Sequence, residues 1–193
     1  MDGLAGKVIL VTGAGKGTGR AVAETLAARR AYLAVNDISP VNLDETVVHI
    51  LAGGGRVKAY VEDIAKKMPI QTLLNQVLDD FGRIDVLVNC AEVEPSQPVL
   101  DMDDWDWQRT LDVNLTGAFL LTQSVGRIMK EKGGGVIICM KGRAKDVKGR
   151  AAYFASKAGA TALVETAASE LAAFGIQVYL AQTVNEVLEA CDQ

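Results

Sequence analysis

Val8-Ile9-Leu10-Val11-Thr12-Gly13-Ala14-Gly15-Lys16-Gly17-Thr18-Gly19 is the stretch from which the fold is read. The apolar run Val8 to Val11 predicts a buried strand. It leads straight into Gly13, Gly15, Gly17 and Gly19. A helical pattern follows from near Arg20, with Val22, Ala23, Leu26 and Ala27 on one face. Strand, glycine turn and helix start together predict a phosphate-binding corner. Glycines let the backbone turn tightly and approach a pyrophosphate, and a helix N-terminus offers N–H groups and a positive dipole. Asp37 closes the next predicted strand, Tyr32 to Asp37. It stands close to the ~20-residue distance expected of a carboxylate on an adenosine ribose.

Strands and helices alternate along the rest of the chain. This predicts an α/β fold: a doubly wound parallel sheet of about six strands with helices on both faces, in three layers. Ser39-Pro40 predicts a helix start, running to about Leu51 and stopping at Gly53-Gly54-Gly55. Further strands are predicted at Arg56 to Val61, Ile84 to Cys90, Val136 to Met140 and Ile176 to Ala181. Further helices are predicted from about Pro69 to Phe81, from Asp101 to Lys130 as one long element, and from about Ala152 to Phe174. A short helical tail is predicted over Asn185 to Cys191. Residues 1–193 read as a single domain, without repeats, low-complexity segments or linkers. Ligands of such sheets bind at the carboxyl ends of the strands. Gly13, Asp37, Asp63, Asn89 and Lys141 all fall there.

With 193 residues, 49% of them hydrophobic, the chain is long enough for one domain with a real core. A net charge of -4 and scattered basic residues argue against a nucleic-acid surface or an anionic membrane. Cys90, Cys139 and Cys191 are odd in number, and two lie in predicted core strands. Neither a disulfide framework nor a metal site is expected, and a reducing cytoplasm is the natural home. No signal-peptide pattern opens the sequence, and no apolar run is long enough to cross a bilayer. The one histidine, His49, reads as a surface residue. Trp105 and Trp107 read as packing residues at a helix start, with a pocket role as the alternative. The loop from Lys141 to Arg150 carries Lys141, Arg143, Lys145, Lys148 and Arg150 against Asp146, and reads as solvated.

Tyr153-Phe154-Ala155-Ser156-Lys157 places a phenol and an ammonium four residues apart, on one face of a helix. A free phenol has a pKa of about 10, and a nearby cation favours the phenolate. A tyrosine so tuned passes a proton to or from a substrate oxygen near neutral pH.

With these motifs in this order, the chain resembles the short-chain dehydrogenases/reductases, a family of NAD(P)-dependent oxidoreductases with a Rossmann-type fold. The resemblance runs over nearly the whole chain. Thr12-Gly13-Ala14-Gly15-Lys16-Gly17-Thr18-Gly19 matches the family's Thr-Gly-x-x-x-Gly-x-Gly. By this match Gly13, Gly15, Lys16, Gly17, Thr18 and Gly19 hold the cofactor. Asp37 matches the acid that selects NAD over NADP. Asp63, followed by Ile64, matches the acid at the adenine ring. Asn89-Cys90-Ala91-Glu92 stands where the family has Asn-Asn-Ala-Gly, so Asn89 and Ala91 join the cofactor residues. Asn114 matches the catalytic asparagine that holds a proton-relay water. Tyr153 and Lys157 match the catalytic acid/base and its partner, and Lys157 would also bind the nicotinamide ribose. The implied reaction is hydride transfer between the cofactor and a small carbonyl or alcohol substrate. NAD is favoured over NADP, although Lys16 offers a charge that a 2′-phosphate would attract. The resemblance also implies a homodimer built through the two long helices, about Trp105 to Lys130 and Ala152 to Phe174.

Three departures from the family fall at the site. Gly142 stands in place of the catalytic serine, and losing one preorganised donor typically costs about 10²–10³ in rate. Lys141 is a candidate replacement donor. Glu92 stands where a glycine admits the cofactor closely, and its charge would disfavour a pyrophosphate. Thr183-Val184 replaces a Pro-Gly, and the sequence given stops before the family's substrate lid and last strand, so an open cleft and a bare sheet edge are expected. The alternative reading is a catalytically weak or inactive dinucleotide-binding protein that acts through assembly or regulation.

Overall fold

β1 (Val8–Thr12), β2 (Tyr32–Asp37), β3 (Arg56–Val61), β4 (Val86–Asn89), β5 (Gly135–Met140) and β6 (Ile176–Ala181) pair in parallel in the order β3-β2-β1-β4-β5-β6. This is the arrangement in the computed structural model, which describes residues 3–142 and 146–192. Every residue of β1 is buried, because the strand lies inside the sheet and helices cover both faces. Side chains alternate across it: Ile9 and Val11 enter one core, Leu10 the other. The first core is closed by α1 (Gly17–Ala28), α2 (Pro40–Ala52) and α7 (Val184–Cys191), through Val22, Leu26, Leu43, Ile50, Val187 and Ala190. The second is closed by α3 (Lys67–Phe81), α5 (Ala118–Lys132) and α6 (Ala151–Leu171), through Ile70, Leu73, Leu121, Val125, Val164 and Ala167. The three-layer doubly wound architecture is therefore the one predicted, and its strand order reverses between β1 and β4.

Several boundaries differ from the prediction for local reasons. α1 begins at Gly17, ahead of Arg20. β4 is shorter than its apolar run, and just before it the Asp85 carboxylate accepts from Val8 N at 2.8 Å. The predicted long helix from Asp101 to Lys130 is three pieces: α4 (Asp104–Leu111), a π-helical turn Asp112–Gly117, and α5. The Asp103 carboxylate caps α4 by accepting from Trp105 N at 2.6 Å. α6 ends at Leu171, and its predicted last turn is a 3₁₀ turn, Ala172–Phe174. The predicted tail helix forms as α7, capped by the Thr183 hydroxyl accepting from Glu186 N at 3.2 Å.

The segments before α4 and before α6 are tied together. Gln97 N donates to the Gly149 carbonyl at 2.7 Å, and Arg150 forms an ion pair with Glu94. Lys141 and Lys148 are exposed, while Arg143 and Lys145 of the same basic stretch lie outside the described residues. Burial pushes the Cys139 and Cys191 thiols up to about 11. His49 is exposed and meets Glu24 at 2.8 Å. Among the described residues, no helix is long and apolar enough to cross a membrane.

Candidate active site and dinucleotide cleft

A cleft of about 820 Å³ opens at the carboxyl ends of β1, β2 and β4, at the point where the strand order reverses. Its floor is the glycine corner. Gly13 has φ 64°, and a Cβ there would stand 2.6 Å from the Ala91 backbone. A Cβ on Gly19 would stand 2.1 Å from the Gly13 carbonyl oxygen, so α1 packs this closely only because residue 19 has no side chain. On Gly17 an added Cβ would meet nothing within 4 Å, since the corner opens into the cleft there. Among the described residues, Lys16 at the N-cap of α1 makes no side-chain capping bond, and a helix start is a ready anion site. These features fit a dinucleotide pyrophosphate.

The far wall fits an adenosine. The Asp37 carboxylate is fixed by two main-chain donors, Gly15 N at 2.9 Å and Ser39 N at 3.0 Å. Beside it Ser39, Asn42 and Ile38 line the cleft. Buried Asn36 donates to the carbonyls of Tyr60 and Glu62 and so ties down the end of β3. Asp63 accepts from the two terminal guanidinium nitrogens of Arg109, at 3.0 and 3.3 Å, and from Ala65 N. Burial alone would raise the Asp63 pKa, but the Arg109 bond and charge and the Ala65 N–H outweigh it and hold the carboxyl below its usual range.

Behind this cleft lies the tyrosine–lysine pair. Both residues project from the first turns of α6, and the Lys157 ammonium is 5.7 Å from the Tyr153 ring centre. One carboxylate joins them. Glu92 Oε2 accepts from Lys157 Nζ at 2.7 Å and from the Tyr153 hydroxyl at 3.2 Å. Lys157 also donates to the Met140 carbonyl at 3.2 Å. Gly142 faces the phenol so closely that a Cβ there would be 2.8 Å from the Tyr153 oxygen. Asn114 sits in the π-helical turn, a feature frequent at functional sites. Its Oδ1 accepts from Val93 N at 2.8 Å, and its Nδ2 donates to the Val93 carbonyl and to Ser156 Oγ.

The predicted residues thus fall into two groups. Gly13, Lys16, Gly17, Thr18, Gly19, Asp37, Asp63, Ile64 and Ala91 line one cleft. Gly15 and Asn89 support it from behind, through Asp37 and Thr12. Tyr153 and Lys157 are together but stand off the cleft, with Glu92 between. Glu92 lines the cleft, and its carboxylate is held by Lys157 and Tyr153. Of the two tryptophans, Trp105 is 69% exposed and lies along the cleft. Arg109 escaped the sequence reading, and Ser39 was read only as a helix start. Arg109 carries no local signal, because its partner lies 46 residues away. Ser39 had one, two residues after Asp37.

The short chain dehydrogenase family model matches residues 7–184. A 3-oxoacyl-[acyl-carrier-protein] reductase of Synechocystis sp. is 40% identical over 181 residues, covering 92% of this chain and 73% of that protein. D-threitol dehydrogenase of Mycolicibacterium smegmatis is 36% identical over 177 residues, covering 91% of this chain and 68% of that protein. Among solved structures, NAD+-bound xylitol dehydrogenase superposes with a TM-score of 0.88 at 35% identity, over 93% of this chain and 70% of that one. A metagenomic short-chain oxidoreductase in complex with NADP superposes with a TM-score of 0.93 at 30% identity, over 99% and 92%. The chain belongs to the short-chain dehydrogenase/reductase family, whose members are NAD(P)-dependent oxidoreductases.

Proposed function

We propose that this chain binds NAD(H) in preference to NADP(H) and interconverts a carbonyl and an alcohol. The observation that carries the cofactor choice is Asp37, fixed by Gly15 N and Ser39 N at the cleft wall. A carboxylate held there accepts from a ribose hydroxyl and repels a 2′-phosphate. The glycine corner and the start of α1 hold the pyrophosphate, and Asp63, Ile64 and Ile38 flank the adenine. A bound nicotinamide dinucleotide supplies or accepts the hydride. Tyr153 gives a proton to the carbonyl oxygen in reduction and takes one from the alcohol in oxidation. Lys157 stabilises the phenolate that forms and binds the ribose. Asn114 acts as a positioning residue, since its amide fixes Val93 beside the site.

The second reading, a weak or inactive dinucleotide-binding protein, is favoured by two observations. Gly142 offers no hydroxyl to the substrate oxygen, and the charge of Lys157 is already compensated by Glu92. Calorimetric titration with NADH and NADPH, followed by a screen of ketones and aldehydes, separates the readings. Turnover that vanishes in Tyr153→Phe supports the enzyme, and tight NADH binding with no turnover on any carbonyl supports the binding protein.

Association through α5 and α6 belongs to the same proposal. Phe119, Gly126, Ala167, Leu171 and Phe174 line a shallow apolar groove across these two helices, and Phe119 is 43% exposed. A second copy covering that groove gives a homodimer. Sedimentation of a monomer alone at micromolar concentration refutes it.

A further inference from the structure

We infer that Glu92 is a built-in plug: its side chain closes Tyr153 and Lys157 off from the dinucleotide cleft, and the cofactor's nicotinamide end engages the pair only after the carboxylate leaves Lys157. The inference rests on the dinucleotide reading above.

Four observations converge on it. Glu92 lines the cleft, whereas Tyr153 and Lys157 do not. A single oxygen of Glu92 takes both the ammonium and the phenol hydroxyl, so one carboxylate occupies the point where both groups could meet a ligand. Tyr153 is 1% exposed and the Lys157 side chain 13%, although a tyrosine that exchanges a proton with substrate must be touched by it. Finally, the backbone beside Glu92 is pinned, because Asn114 binds both the N–H and the carbonyl of Val93. With that backbone held, the opening inferred is a rotation of the Glu92 side chain.

The pair is partly buried, so bulk salt screens it less than an exposed ion pair. Apparent cofactor affinity is the intrinsic affinity reduced by the fraction of molecules that are open. A closed plug weakens binding in proportion.

Two substitutions separate the plug from simple charge repulsion. Glu92→Ala removes both reach and charge. Glu92→Asp keeps the charge and shortens the arm by one methylene, so that it falls short of Lys157. NADH titration by fluorescence on the wild-type chain and both variants should show tightening of roughly tenfold or more in each variant. Tightening in Glu92→Ala alone assigns the effect to charge and overturns the plug. Measurable wild-type binding that neither variant improves overturns the plug and leaves the dinucleotide reading standing. No binding of NADH or NADPH by any of the three overturns both.

Discussion

The Thr12 hydroxyl donates to the Asn89 side-chain oxygen at 2.6 Å, fully buried, and so clasps the carboxyl end of β1 to that of β4 where the strand order reverses. The two residues are register partners in the sheet, yet 77 positions apart in the chain. Thr12→Val keeps the shape and deletes the donor, which leaves a buried acceptor without it. The expected cost is about 1–3 kcal/mol of stability. Urea unfolding reads it as a lower midpoint with an unchanged slope, and an unchanged midpoint refutes it.

Asp37 is predicted to set cofactor choice. Asp37→Ala removes the like charge that a 2′-phosphate would face, so the ratio of NADPH to NADH affinity should rise roughly tenfold or more. Parallel calorimetric titrations measure that ratio. If it does not move, Asp37 is not the selecting residue.

Restoring the family's serine should fail by itself. A Cβ at residue 142 would stand 2.8 Å from the Tyr153 oxygen and 3.1 Å from Lys157 Cγ, and Tyr153 is walled in. Gly142→Ser is expected to destabilise by about 1–3 kcal/mol through overpacking and to leave carbonyl turnover unchanged. A tenfold gain in turnover would show that the phenol moves aside readily.

Asp63 predicts an acid-side signature. Its folded pKa lies below that of the unfolded chain, chiefly because the Arg109 interaction outweighs burial. Such a carboxylate contributes stability above the unfolded value of about 3.9, and that contribution is lost as pH falls through the folded value. In Arg109→Leu the contribution shrinks, so the unfolding midpoint should fall less steeply between about pH 5 and 3 than in the wild type. Curves of equal slope would refute the pairing.

The sheet was legible because each strand is a short run bounded by turn residues: Tyr32–Asp37, Arg56–Val61 and Ile176–Ala181 lie where the sequence puts them. The glycine corner and Asp37 were legible for the same local reason, since spacing along the chain fixes their geometry. The π-helical turn was not. Asp112–Gly117 keeps the apolar rhythm of its neighbours, and the wider winding leaves no mark on composition. The Glu92 contact was half legible. Its replacement of a glycine showed in the sequence, but its direction depends on Lys157, 65 residues on, and on a backbone held by Asn114 from a third element. Side-chain reach across elements is a tertiary property, and periodicity carries no trace of it.

The reversal of strand order between β1 and β4 also dictates a timetable. β1, β2 and β3 can pair as soon as residue 61 has been made, but the second neighbour of β1 arrives only with Val86–Asn89. Until then one edge of β1 stands without a partner, and distant parallel pairings form slowly. The floor of the cleft is complete only after that late step. A dinucleotide in the refolding buffer should therefore slow unfolding and raise the melting temperature while leaving the early folding rate unchanged.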